Sequence, residues 1–289
     1  MMGCKELANT GIQLPEIALG TWQYQGGVQP LQLGIALGAT FIDTAESYGT
    51  EEVVGQAIKG IRDKVFLATK ISPRHFRRPD VIRAAERSLK RLNTDWIDLY
   101  QLHWPNYTVP MAETMAAMEE LVETGKIRLI GVSNFSEKEI EKAQVSLSRN
   151  RIVSNQVRYG LVDRTIEYGL LQYCEAKQIT VLAFSPLASG IQNIRKYDHK
   201  DALGTVATET GKTRAQVALN WCVSHRPVIA IFKADKVEHV RQNCGATGWR
   251  LQPAQIETLN QISFHRRGAI ERLARRLARH SLQRLGRNI

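Results

Sequence analysis

The stretch GATFIDTAESYG, Gly38–Gly49, decides how the chain is read. An apolar run, Ala39–Ile42, carries strand-favouring residues up to Asp43, and a short polar segment then brings Tyr48 beside a glycine. A buried strand that hands two ionisable side chains to its C-terminal end has the form of an active-site edge. Asp43 alone suits a turn or a helix cap equally well. What decides is whether other strand ends bring partners.

Outward from that stretch, strand-like and helix-like segments alternate. Glu6–Thr21 holds two apolar segments around Asn9-Thr10-Gly11, the form of a hairpin running into a strand at Ile17–Gly20. Further strands are predicted at Thr40–Asp43, Val65–Lys70, Trp96–His103, Ile127–Ser133, Ile152–Val157, Ile179–Phe184 and Val228–Phe232. Helical spacing falls between them, at Val28–Gly38, Glu51–Ile61, Pro79–Leu92, Pro110–Thr124, from Ser136 to about Arg149, near Ile166–Lys177 and at Arg214–His225. Eight strands with helical segments between them argue for a parallel sheet covered by helices and closed as an α/β (β/α)8 TIM barrel. No G-x-G-x-x-G opens any of these helices, which removes the main support for an open Rossmann sheet.

The 289 residues carry a formal net charge of +11. Eight arginines and one glutamate between His265 and Ile289 supply +7 of it and leave +4 for residues 1–264. The body is therefore only mildly basic, which suits an anionic cofactor and gives no ground to expect nucleic acid. The chain divides into a single barrel domain, 1–264, and an arginine-rich C-terminal helix or tail, 265–289. In that tail Ile270, Leu273 and Leu277 recur at helical spacing within Ala269–Leu285, and no aromatic interleaves the arginines to stack on bases. Cys4, Cys174, Cys222 and Cys244 are scattered without a C-x-x-C pair, so neither a disulfide framework nor a metal site is expected, and a cytoplasmic setting fits. No stretch approaches the roughly 18 apolar residues of a membrane span. Met1–Thr10 has no apolar export segment, and a monomer or weak oligomer is expected.

In such a barrel the strand C-termini converge on one mouth. Those positions are Gly20-Thr21-Trp22, Asp43 with Tyr48, Lys70, His103-Trp104, Ser133-Asn134, Asn155-Gln156, Phe184-Ser185-Pro186 and Lys233. Asp43, Tyr48, Lys70 and His103 make a chemically coherent set. A tyrosine, with an unperturbed pKa of about 10, is a poor acid near neutrality, and a neighbouring ammonium lowers that value. Lys70 supplies the ammonium, and Asp43 the counter-ion that a partly buried lysine needs. A neutral His103 would donate to a polarised carbonyl oxygen. Trp22, Tyr24 and Trp104, with Tyr48 and His103, are expected to line an apolar pocket for a small-molecule carbonyl substrate. The segments after His103 and Phe184 are read as short, which predicts an open pocket.

From about Leu7 to Leu259 the chain resembles the aldo-keto reductases. GATFIDTAESYGTEEVVG at Gly38–Gly55 is similar to the family's first signature, and MEELVETGKIRLIGVSNF at Met118–Phe135 to its second. SLKRLNTDWIDLYQLHWP at Ser88–Pro105 also matches closely. The resemblance implies that Asp43, Tyr48, Lys70 and His103 form a catalytic tetrad for NAD(P)H-dependent reduction of aldehydes or ketones to alcohols, with Tyr48 as general acid. It also implies that NADPH or NADH lies extended in the barrel mouth, where Gly20, Thr21, Trp22 and Asp43 would adjoin it. Ser133, Asn134 and Gln156 would hold its carboxamide, and Phe184 would stack on the nicotinamide. Ser185 and Leu187 of SPLASG would wrap the pyrophosphate, and Gln242 and Asn243 would contact adenine.

The third signature departs from the family pattern. Members commonly carry I-P-K-[SA] and then an arginine that grips the 2′-phosphate, whereas this chain has Ile231-Phe232-Lys233-Ala234 and, at the arginine's place, His239. Lys233 remains as a phosphate partner, with Lys236 and Arg241 placed to compensate. An imidazole does not reproduce a planar arginine fork, so a weakened preference for NADPH is expected. NQVRYGLVDR at Asn155–Arg164, together with SPLASG, also resembles the potassium-channel β-subunits, which are cofactor-binding regulatory subunits on the same fold.

Overall fold

Strand pairing closes on itself in the computed structural model of the chain, which describes residues 2–264. Strands β1 (Cys4–Glu6) and β2 (Gln13–Pro15) form a separate antiparallel hairpin. The barrel consists of β3 (Ile17–Gly20), β4 (Phe41–Asp43), β5 (Phe66–Ile71), β6 (Ile97–Leu102), β7 (Ile127–Ser133), β8 (Ile152–Arg158), β9 (Thr180–Phe184) and β10 (Val228–Phe232). All eight are parallel, and β10 pairs with β3 to complete the ring. This is the (β/α)8 barrel that the alternating sequence predicts.

Strand boundaries shift by a residue or two, as element ends usually do, whereas three helices are shorter than expected, at Glu51–Ala57, Glu137–Gln144 and Leu170–Ala176. Residues 185–213 are not the short connection expected, because they carry helices at Ile191–Arg195 and Ala202–Thr210. Helices at Val237–Cys244 and Pro253–Asn260 follow β10. The basic helix or tail expected at 265–289 lies outside the described residues. Among the described residues no helix is long and apolar enough to cross a membrane.

The period-two alternation of the strands builds the interior in layers. Ala18, Phe41, Ala68, Leu99, Leu182 and Ile229 form an apolar cluster within the barrel, while their neighbours Ile17, Leu19, Ile42, Leu67 and Tyr100 belong to the larger core shared with the helices. Two residues beyond the inner apolar layer, the same parity brings Asp43, Lys70 and Gln101. Gly131 leaves room for Gln101: a Cβ there would stand 3.0 Å from Gln101 Cγ and would also crowd Ser154 Oγ.

The hairpin closes the end of the barrel opposite these polar residues. Leu7, Ala8 and Leu14 join the inner cluster, and the Ala8 N–H donates to Thr180 Oγ1 at 2.9 Å, at the start of β9. Lys5 Nζ donates to the carbonyls of Val223, His225 and Val228, which pins the hairpin to the entry of β10.

Candidate active site

Asp43 is held by side chains from three other strands. Lys70 Nζ lies 2.6 Å from its Oδ2, while Gln101 and Gln156 donate to its Oδ1 at 3.1 and 2.8 Å. Lys70 Nζ also donates to the Thr44 carbonyl at 2.9 Å and to the Tyr48 hydroxyl at 3.3 Å. A hydroxyl series, Thr44 to Thr50 at 3.0 Å and Thr50 to Thr21 at 2.9 Å, braces the backbone beside this centre.

Tyr48 reaches the centre because the chain leaves β4 into a 3-10 turn, Glu46–Tyr48, that ends at Gly49 with φ 70°. Glu46 fixes that turn: its Oε1 accepts from the Ser72 N–H at 2.6 Å and meets His75 Nδ1 at 2.9 Å. The Tyr48 hydroxyl is then 3.4 Å from His103 Nε2, and Lys70 Nζ sits 4.7 Å from the centre of the tyrosine ring.

Electrostatics follow from burial and from these neighbours. Burial pushes the Tyr48 phenol above its ordinary value; Lys70 opposes that push and Asp43 adds to it. This corrects the expectation that the ammonium lowers the phenol, because desolvation outweighs it. Burial also works against the Lys70 charge, yet Asp43 and Tyr48 hold the ammonium above its usual range. Burial and then the Lys70 charge push His103 down to about 3, so its imidazole is neutral at neutral pH.

A cavity of about 1490 Å³ opens above this centre. Its wall includes Gly20, Thr21, Trp22, Asp43, Tyr48, His103, Trp104, Ser133, Asn134, Gln156, Phe184, Ser185, Leu187, Lys233, Ala234, His239, Gln242 and Asn243. Lys70 lies behind Tyr48, fully buried. Tyr24 is misplaced by the sequence reading: it is 7% exposed, absent from the wall, and donates its hydroxyl to the Gly27 carbonyl at 2.7 Å. Loop curvature turns it into the core, whereas Trp22, 51% exposed, faces the opening.

The aldo/keto reductase family model matches residues 16–263. The chain belongs to the aldo-keto reductase family. It is 41% identical over 261 residues to methylglyoxal reductase YeaE of Escherichia coli K12, covering 86% of this chain and 91% of that protein. The thermostable aldo-keto reductase Tm1743, solved with the inhibitor epalrestat, is similar with a TM-score of 0.83 at 41% identity, covering 90% of this chain and 99% of that one. An aldo-keto reductase from Klebsiella pneumoniae, solved with NADP and acetate, gives a TM-score of 0.83 at 39% identity, with 92% and 98% covered. These relatives favour a reductase over the regulatory-subunit resemblance.

The cavity of this aldo-keto reductase fits a nicotinamide dinucleotide. Its volume exceeds the roughly 300–1,000 Å³ of a single drug-sized ligand. Ser133 and Asn134 are fixed beneath it: Ser133 Oγ donates to the Gln156 carbonyl at 2.9 Å, and Asn134 Nδ2 to the His103 carbonyl at 3.2 Å. Gln156 has its side-chain nitrogen Nε2 committed to Asp43, leaving its side-chain oxygen Oε1 as what it can offer a carboxamide. In the loop after β9, Ser185, Ala188 and Ser189 have left-handed φ values, which turn the backbone along the cavity wall that Ser185, Leu187 and Ser189 help to form.

Three residues of the site escape the sequence reading. Gln101 shares the inward parity of Leu99 and His103, and that alternation is the signal for it. Glu46 stands within the opening stretch itself. Asp235, two residues past Lys233, has no sequence signal beyond that nearness.

Proposed function

We propose that the chain reduces aldehydes and ketones to alcohols with NADPH, and that Tyr48 gives the proton. The observation that carries this reading is the Tyr48 hydroxyl held at the cavity between Lys70 Nζ, 3.3 Å away, and His103 Nε2, 3.4 Å away. When bound, the nicotinamide cofactor supplies hydride to the carbonyl carbon. Neutral His103 donates to the carbonyl oxygen and orients it beside Tyr48. Tyr48, kept protonated at neutral pH by its burial, then gives its proton to the oxygen as negative charge develops there. Lys70 stabilises the phenolate left behind. Asp43 keeps Lys70 charged, and Gln101 and Gln156 keep Asp43 in place.

Ser133, Asn134, Gln156, Phe184, Ser185, Leu187, Lys233, Gln242 and Asn243 are the residues we assign to the cofactor, and Trp22 and Trp104 to the substrate. The first substrate to try is methylglyoxal, for which the Escherichia coli relative is named. A cytoplasmic monomer or weak oligomer that needs no nucleic acid completes the proposal, with residues 1–264 as its catalytic unit. All four cysteines being free is in keeping with a reducing compartment.

The test is loss of the reduced-nicotinamide absorbance when purified protein meets NADPH and a panel of aldehydes headed by methylglyoxal. Wild type should turn over, and Tyr48→Phe should lose a factor of about 10²–10⁴ in turnover while still binding NADPH. Full turnover by Tyr48→Phe would remove the proposed acid.

A further inference from the structure

Two loops meet where β10 adjoins β3, and a carboxylate joins them. Asp235 Oδ2 accepts from Lys233 Nζ, and its Oδ1 accepts from the Gln25 N–H at 2.9 Å. Lys233 Nζ also reaches the Gln23 carbonyl at 3.5 Å. Gly26 packs so closely on the same loop that a Cβ would stand 2.6 Å from the Asp235 carbonyl oxygen. Lys233, Asp235, Lys236 and His239 all line the cavity, and the Lys233 and Asp235 side chains are 38% and 36% exposed, within reach of a ligand.

We propose that Asp235 sets the choice between the two nicotinamide dinucleotides, by cancelling the Lys233 charge that a 2′-phosphate would meet and offering an acceptor to a 2′-hydroxyl instead. The inference rests on the dinucleotide reading above. A ribose hydroxyl donates to a carboxylate, whereas a phosphate brings acceptor oxygens and negative charge that the carboxylate repels. Asp235 does not swing aside freely, because both of its oxygens are engaged. Lys233 and Asp235 together therefore carry no net charge, so that with Lys236 this part of the wall holds about one positive charge. The subsite takes NADPH without strongly rejecting NADH.

The test titrates the full chain with NADPH and with NADH, following the quenching of tryptophan fluorescence, since Trp22 and Trp104 line the cavity. Asp235→Asn removes the charge and keeps an oxygen for the Gln25 N–H. It should raise the NADPH-to-NADH affinity ratio by about tenfold, the size of change that one like-charge contact of this kind produces. The gain should shrink as salt is raised. Asp235→Ala, which also gives up the tether to Gln25, should raise the same ratio while weakening both nucleotides. A ratio unchanged in Asp235→Asn, with wild type binding both nucleotides, overturns this inference and leaves the reductase reading standing. Failure of wild type to bind either nucleotide overturns both.

Discussion

Asp43 Oδ2 and Lys70 Nζ lie 2.6 Å apart, with the lysine side chain sealed from solvent and the carboxylate side chain 3% exposed. An ammonium at that depth is tolerated only because the carboxylate, the Thr44 carbonyl and the Tyr48 hydroxyl surround it. Removing the Asp43 charge alone strands Lys70. Asp43→Asn is therefore expected to destabilise the fold by about 3–5 kcal/mol, and the double variant with Lys70→Met to regain much of that loss. Chemical denaturation of the two single variants and the double variant measures the coupling. Additive losses would show that the pair is not what holds the centre.

Acid should act on the fold through His103. Its imidazole is held down to about 3 in the fold, against about 6.5 in an unfolded chain. Between those values the unfolded chain binds a proton that the folded chain refuses, so this contribution is complete above about pH 6.5 and is lost as pH falls. His225, which burial also pushes down, contributes with the same sign. Denaturation midpoints recorded between about pH 4 and pH 7 should slope upward with pH, less steeply in His103→Gln. An unaltered slope in that variant would assign the acid sensitivity elsewhere.

Gln101 offers a way to separate support from contact. It is absent from the cavity wall yet donates to Asp43 Oδ1 at 3.1 Å. Gln101→Leu leaves a buried carboxylate short of a donor, which should cost about 1–3 kcal/mol of stability. Turnover should fall by a similar fraction at every carbonyl concentration, with KM for the carbonyl unchanged. Steady-state kinetics on wild type and variant decide it, and a change confined to KM would contradict the positioning role.

The closed end of the barrel predicts the opposite pattern. Leu7 is fully buried against the inner apolar layer, far from the polar residues of the mouth. Leu7→Ala should lower stability by about 2–5 kcal/mol and leave kcat and KM at their wild-type values below the unfolding transition. Thermal unfolding together with kinetics at a low temperature checks both halves.

The barrel was legible because alternation and strand propensity repeat eight times, so an error in one boundary does not disturb the count. The meeting of Asp43, Tyr48, Lys70 and His103 followed from strand-end positions once the barrel was assumed. Tyr24 was not legible: the turn from Gln23, with φ 52°, into the core leaves no trace in hydrophobicity. The Tyr48 phenol was read in the wrong direction because sequence names the neighbouring charge and is silent about the depth of burial. Asp235 and the helices within residues 185–213 depend on loop geometry, which period-two and period-3.6 patterns do not encode.

The Asp43 carboxylate takes its side-chain partners from positions 27, 58 and 113 residues further along the chain. Such an arrangement does not switch on by degrees. Strands β4, β5, β6 and β8 must all be seated before the buried charges balance, and contacts of such long range are the slow part of folding. A chain still emerging from synthesis, or one caught part-way through refolding, therefore holds an inert collection of side chains and not a half-working centre that consumes reductant.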